Sequence, residues 1–188
     1  MIPTLYIIAK APIMGKAKTR LAADIGVVHA KRIYRQMMSQ IIRNVQDPRW
    51  ETVLAVTPPA ALGQVPEWDG LPQIAQVSGS LSPRLAQVFS GRGPTVVIGT
   101  DCPQVTSNDI AQAFQALKSS PAVFGPASDG GFWLMGAHAP LRPQIFDNIR
   151  WSHEQTLSDM RAKFGDVTVL RTLTDVDDLA ALKQSKLT

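Results

Sequence analysis

The 188-residue sequence holds a single cysteine, Cys102. One thiol excludes an intramolecular disulfide and a cysteine metal cluster. The three histidines, His29, His138 and His153, show no zinc-ligand spacing. No apolar run approaches the roughly 20 residues that a membrane-spanning helix needs. Charged residues make up only 18% of the chain against 45% hydrophobic, a balance that excludes a disordered chain and suits one domain over residues 1–188. The opening MIPTLYIIAKAP has no basic stretch and only a short apolar run, so the expected location is cytoplasmic. Neither the Walker A pattern nor the Rossmann G-x-G-x-x-G occurs.

What is present is uneven charge. The net charge is +4. Residues 1–50 carry nine Lys or Arg against only Asp24 and Asp47. Such asymmetry suits an anionic ligand near the N-terminal segment. Lys31, Arg32, Arg35 and Arg43 are explained as the solvated face of a helix. Lys10, Lys16, Lys18 and Arg20 fall in the loop KAPIMGKAKTR, which a helix face does not explain. No nucleic-acid-binding motif or aromatic-basic stripe accompanies the charge, so nucleic acid is not an expected partner.

Hydrophobic patterning predicts seven strands, at 4–9, 51–57, 72–78, 94–100, 122–126, 131–137 and 167–171. Helices are predicted from near Thr19, over 28–46, over 83–90, after Thr106, after Ser152 and over 176–186. Thr106 with Asp109, and Ser152 with Gln155, have capping-box spacing. The alternation of strands and helices implies an α/β sandwich with a mainly parallel sheet, whose ligands bind at the carboxyl ends of the strands.

Three polar clusters follow predicted strands: the opening loop, GTDCP (99–103) and PASDGG (126–131). The loop has a glycine for close backbone approach, cations and a following helix start, the ingredients of a phosphate cradle. Asp101 follows a β-branched run. A carboxylate there is costly unless capped, solvated or holding a cation, and a divalent metal on phosphate oxygens would suit it. The competing reading is a turn residue before Pro103. Cys102 reads as packing, and His29 and His138 as structural or solvated. His153 lies at the edge of the presumed site. Asp129 with Gly130 and Gly131 fits either a hairpin turn or a close approach to a ligand. In TDVDD (174–178), helix capping accounts for one or two of the carboxylates, and a second metal ligand is the sharper reading.

Taken in order, KAPIMGKAKTRL, GTDCP, GPASDGGFWLMG, WS and TDVDDLAAL resemble an uncharacterised bacterial transferase family. That family is related to MobA-like guanylyltransferases and to 2-phospholactate guanylyltransferase. The resemblance spans nearly the whole chain. It implies a GT-A-like, nucleotide-diphospho-sugar transferase fold, a three-layer α/β/α sandwich with a mixed sheet. It implies that Lys10, Gly15, Lys16, Lys18, Thr19 and Arg20 form the phosphate side. Asp101 matches the acid that holds Mg²⁺ (or Mn²⁺). Asp129, Gly130 and Gly131 match a loop by the acceptor pocket, and Asp175 and Asp177 a second metal contact. Three departures stand out: Ser80 replaces an expected Asp, His153 replaces the usual Thr after WS, and the acidic tail motif is shortened.

The implied activity is a Mg²⁺-dependent transferase with a nucleotide-activated donor, either a nucleotide sugar or a nucleoside triphosphate, and a small-molecule acceptor, with a glycosyltransferase-like nucleotide-diphospho-sugar transferase as the first expectation. In this reading Lys16, Arg20 and Asp101 act on the donor phosphates. Asp129 is the base candidate for a hydroxyl acceptor. The alternatives are a guanylyltransferase-like nucleotidyltransferase releasing pyrophosphate and a non-catalytic nucleotide-binding protein. Assembly as a homodimer is left open.

Overall fold

The computed structural model describes residues 2–15 and 18–184. Seven strands form one sheet: β1 (Thr4–Lys10), β2 (Glu51–Thr57), β3 (Gln73–Ala75), β4 (Thr95–Ile98), β5 (Ala122–Pro126), β6 (Phe132–Ala137) and β7 (Thr168–Val169). Their order is β3-β2-β1-β4-β6-β5-β7. β6 runs antiparallel to β4 and β5, and every other pairing is parallel. β5 and β6 form the hairpin that the Asp-Gly turn signals, and the remaining strands present their carboxyl ends at one edge.

Strand alternation divides the core into two layers. Leu5, Ile7 and Ala9 of β1 pack to one side, with Val96 and Ile98 of β4, against Tyr34, Met38 and Ile41 of α2 (Val27–Val45) and Ile110 and Ala113 of α4 (Ser107–Ala116). Tyr6 and Ile8 face the other side with Val97. They meet Leu85 and Val88 of α3 (Leu81–Val88) and Met160 of α5 (Thr156–Ala162). The period of two along each strand therefore sets the α/β/α layering. Fully burying each such Leu or Ile contributes about 1.5–3 kcal/mol. A third, smaller cluster joins Leu21 of α1 (Thr19–Ile25), Met37 and Leu182 of α6 (Leu179–Gln184), with Val176 just before it.

The helix predicted from near Thr19 ends at Gly26, which has φ 83° between α1 and α2. The Thr106 capping box is present, with Asp109 donating its amide to the Thr106 hydroxyl and accepting from the Thr106 amide. The Ser152 capping pattern does not start a helix. Ser152 sits at φ 56°, α5 begins at Thr156, and the Thr156 hydroxyl accepts the amide of His153. The long loop 58–72 is shaped by two 3₁₀ turns, each opened by a proline.

The connection after β1 leads to β2 on one side of the sheet, and the connection after β4 leads toward β5 and β6 on the other. A crevice opens where two neighbouring parallel strands send their chains apart, at their carboxyl ends. The loop carrying Lys18 and the loop carrying Asp101 leave from this point.

Candidate active site

Lys18 stands at the start of α1 with a left-handed backbone, φ 51° and ψ 49°. This uncommon conformation for a side chain other than Gly, Asn or Asp directs the chain into the helix. Its side chain is 4% exposed, and its ammonium ends between two carboxylates. It donates to Asp101 Oδ1 and, at 2.7 Å, to Asp177 Oδ1. Arg20 donates to the other Asp177 oxygen at 2.5 Å. Burial pulls the Lys18 ammonium down, but Asp101 and Asp177 together outweigh it and hold the pKa above the ordinary lysine value.

Asp101 and Asp177 come from distant parts of the chain. Asp101 follows β4. Asp177 follows β7, whose continuation stays on the sheet edge: Ala127 pairs with Leu173 in parallel, and Ser128 N donates to Leu173 O at 3.0 Å. Val176 N then donates to Asp101 O at 2.8 Å, which carries the acidic segment across to β4.

The Asp101–Asp177 pair divides two cavities. One, of about 310 Å³, is lined by Lys10, Lys18, Thr19, Arg20, Tyr34 and Thr100 as well as the two acids. Tyr34 is buried, and its hydroxyl donates to Lys10 O at 2.7 Å while accepting Lys10 N–H at 3.2 Å. Burial pushes that phenol up to about 12, so it stays a neutral hydrogen-bonding brace on the end of β1. The other cavity, of about 260 Å³, has Asp129 and Asp175 beside the same two acids, with Phe132 and Trp151 among its walls.

Asp175 accepts from the Cys102 thiol at 2.8 Å. Burial, with the neighbouring charges of Asp129, Asp101 and Asp177, pushes its carboxyl up to about 6, against the opposing thiol hydrogen bond. Burial and then Asp175 drive the Cys102 thiol upward, so it remains a proton donor and not a thiolate. Asp129 Oδ1 accepts the Gly131 amide at 2.8 Å, an Asx turn at the tip of the β5–β6 hairpin. Gly130 has φ 89°, and a Cβ there would lie 2.1 Å from the Glu154 carbonyl oxygen. Its bareness lets the hairpin tip pack on the 152–156 segment, where Leu157 N donates to Gly130 O at 3.0 Å. The close approach at Gly130 is thus to the protein's own backbone.

Of the expected phosphate-side residues, Lys10, Lys18, Thr19 and Arg20 line one cavity; Gly15 lies in the preceding turn with φ 70°. Lys16 lies outside the described residues. Lys31, Arg32, Arg35 and Arg43 flank a separate concavity of about 750 Å³ on α2. His29 bonds Ile25 O and His138 bonds Leu117 O, both structural contacts, whereas His153 lines the acidic cavity. Sequence reasoning missed Tyr34, Thr100 and Trp151. Tyr34 had a signal, since it precedes Met37, Met38 and Ile41 at helical spacing. Trp151 had only the WS dipeptide.

A family profile described as an uncharacterized protein conserved in bacteria, DUF2064, matches residues 41–153. The chain belongs to this family. The DUF2064 match takes in the end of α2 from Ile41, Asp101, Asp129 and His153, while Lys18, Tyr34 and Asp177 lie outside it. No curated protein matches the sequence. Among solved structures, a protein of Desulfovibrio desulfuricans G20, provisionally assigned as a nucleotide-diphospho-sugar transferase, is similar. It is 26% identical at a TM-score of 0.84, over 94% of this chain and 82% of that one. Rv0371c from Mycobacterium tuberculosis H37Rv, solved in complex with manganese, is 15% identical at a TM-score of 0.58, over 98% of both chains. The 4-diphosphocytidyl-2C-methyl-D-erythritol synthase of Anaerococcus prevotii DSM 20548 is 7% identical at a TM-score of 0.63, over 98% of this chain and 94% of that one. The DUF2064 chain therefore has the fold of the nucleotide-diphospho-sugar transferases, as its motifs implied.

The donor set also bears on a metal. Among the described residues no group of three or more His, Cys, Asp or Glu side chains is arranged to hold one. Asp101 and Asp177 nevertheless direct carboxylate oxygens at one cation, the Lys18 ammonium. Two hard oxygen donors beside a cationic cavity of about 310 Å³ fit Mg²⁺, which usually takes one or two carboxylates and completes its shell with phosphates and water. Asp175 is turned toward Cys102.

Proposed function

We propose that this chain is a divalent-metal-dependent transferase with a nucleotide-activated donor, acting as a glycosyltransferase-like nucleotide-diphospho-sugar transferase. The observation that carries this reading is the division of the crevice by Asp101 and Asp177 into a cationic half and an acidic, aromatic half. The donor phosphates belong in the cationic half, where Lys18 and Arg20 offset their charge and Lys10 adds a third cation. Asp101 and Asp177 would hold Mg²⁺ or Mn²⁺. When bound, that ion supplies electrostatic stabilisation of the charge on the leaving phosphate. The likeness to the D. desulfuricans protein, and the manganese complex of Rv0371c, support the donor class and the metal.

In the glycosyl reaction an acceptor hydroxyl oxygen bonds to the anomeric carbon. The bond from that carbon to the phosphate oxygen breaks, and the nucleoside diphosphate leaves with the electron pair. The hydroxyl proton passes to a carboxylate at the acceptor side, for which Asp129 is the candidate. A second reading is favoured by the cytidylyl transferases among the structures with this fold. There an acceptor phosphate attacks the α-phosphorus of a nucleoside triphosphate, and pyrophosphate leaves.

Calorimetry of a nucleotide panel with and without Mg²⁺ tests the proposal. A nucleoside diphosphate or triphosphate should bind more tightly with Mg²⁺, and Asp101→Ala should remove the difference. Binding that is indifferent to Mg²⁺ and to Asp101→Ala would reject the metal assignment. Absence of any nucleotide binding would reject the donor.

A further inference from the structure

The acidic cavity carries charge that the cationic half does not neutralise. Asp101 and Asp177 share Lys18, and Arg20 pairs with Asp177. Asp129 and Asp175 form no ion pair among the described residues, and no described Lys or Arg lines their cavity. The free carboxylate oxygens there can only accept hydrogen bonds. Opposite them stand aromatic surfaces. Phe132 and Trp151 meet edge to face at 6.4 Å, and Trp151 is anchored by its indole N–H to the Ser82 hydroxyl at 2.8 Å. Both are partly exposed. Aromatic faces carry the negative part of the ring quadrupole and attract weakly positive C–H groups.

We infer that this cavity takes an uncharged polyhydroxylated acceptor, a sugar or polyol without a phosphate or carboxylate group. Its hydroxyls donate to Asp129 and Asp175, and its C–H surface lies on Trp151 and Phe132. A phosphorylated acceptor would set a dianion against two unpaired carboxylates at short range in a half-enclosed site, where like-charge repulsion is weakly screened. The inference rests on the proposed function for the identity of the cavity as the acceptor side. It also separates the two reactions above, because nucleotidyl transfer to a phosphate needs the acceptor that this cavity excludes.

The test uses the full chain with Mg²⁺ and a nucleoside diphosphate, and reads acceptor binding by saturation-transfer NMR. The probes are glucose, mannose and myo-inositol, each paired with its monophosphate. At least one free polyol should bind, and its monophosphate should bind at least roughly tenfold more weakly. Trp151→Ala should weaken the free polyol. The double variant Asp129→Asn/Asp175→Asn should bring the phosphate ester to within about threefold of the free form. Equal or tighter binding of a monophosphate to the wild-type chain overturns the inference. So does a chain that binds nucleotide and none of the polyols, an outcome that leaves the donor assignment standing. Failure of nucleotide binding defeats the proposed function instead, and polyol preference in the same sample still decides the chemistry of the cavity.

Discussion

The two halves of the crevice share Asp101 and Asp177, but the rest of their walls come from different stretches of chain and differ in charge. The cationic half is mostly local: apart from Thr100 and the two shared acids, its walls, Lys10, Lys18, Thr19, Arg20 and Tyr34, fall within the first 34 residues, on β1, its loop and the helices after it. The acidic half is assembled from five separate places: the start of α3, the loop after β4, the β5–β6 hairpin, the segment leading into α5 and the strap after β7. A local site needs few tertiary contacts to form. A dispersed one depends on tethers, here the Val176-to-Asp101 bond and the packing of Gly130 on Glu154. On the proposed function, donor phosphates would bind where the cations converge, and the acceptor where hydrogen-bond acceptors and rings converge.

The largest expected effect comes from the boundary between the halves. Asp101→Ala should reduce transfer on the order of a thousandfold, as loss of a preorganised electrostatic group does. Steady-state kinetics on the folded variant checks it, and an effect confined to acceptor KM would break the assignment of Asp101 to the donor side. Lys18→Met should weaken nucleoside diphosphate binding by roughly tenfold or more. It also leaves Asp101 and Asp177 facing each other without their shared cation. Mg²⁺ should therefore raise the melting temperature of Lys18→Met more than that of the wild type. Equal shifts would mean that the two carboxylates do not act as a cation pair.

Asp175 sharpens the acidic half. Its folded-state pKa, about 6, lies above the ordinary carboxylate value. The stability associated with its protonated form is complete below the unfolded-state pKa, near 4, and is lost as pH rises through about 6. Asp175→Asn should abolish that loss. After discounting for solvent screening, the gain at pH 7 should be on the order of 1–2 kcal/mol, with a flatter stability profile between about pH 4 and pH 6. Urea unfolding across that range measures it, and an unchanged slope would show that burial and the neighbouring acids do not raise the Asp175 pKa. The smallest effect lies outside both halves. Thr106→Ala should cost about 1 kcal/mol through the lost helix cap, without changing nucleotide or polyol binding. A change in either ligand would show that α4 is coupled to the crevice.

The strands were legible because each is a short apolar run with turn residues on its flanks, and β4 shows it most plainly in TVVI. Asp101 was legible for the same reason, as an acid at the end of such a run. The Ser152 cap misled because its spacing matched a helix start while the backbone there turns through positive φ. Trp151 was not legible as a wall of the cavity, since nothing local to it distinguishes a ring facing a ligand from one facing the core. The pairing of Asp177 with Lys18 spans 159 positions, and sequence spacing carries no distance information at that range.

By itself, then, the chain's order of apolar runs, turns and caps determined an α/β sandwich and placed its polar clusters after strands, because periodicity and turn chemistry are local properties. Only the tertiary structure decided which carboxylate meets which cation. That choice depends on strand order, on the antiparallel insertion of β6 and on the strap after β7 crossing to β4, each a long-range packing outcome that no local pattern encodes.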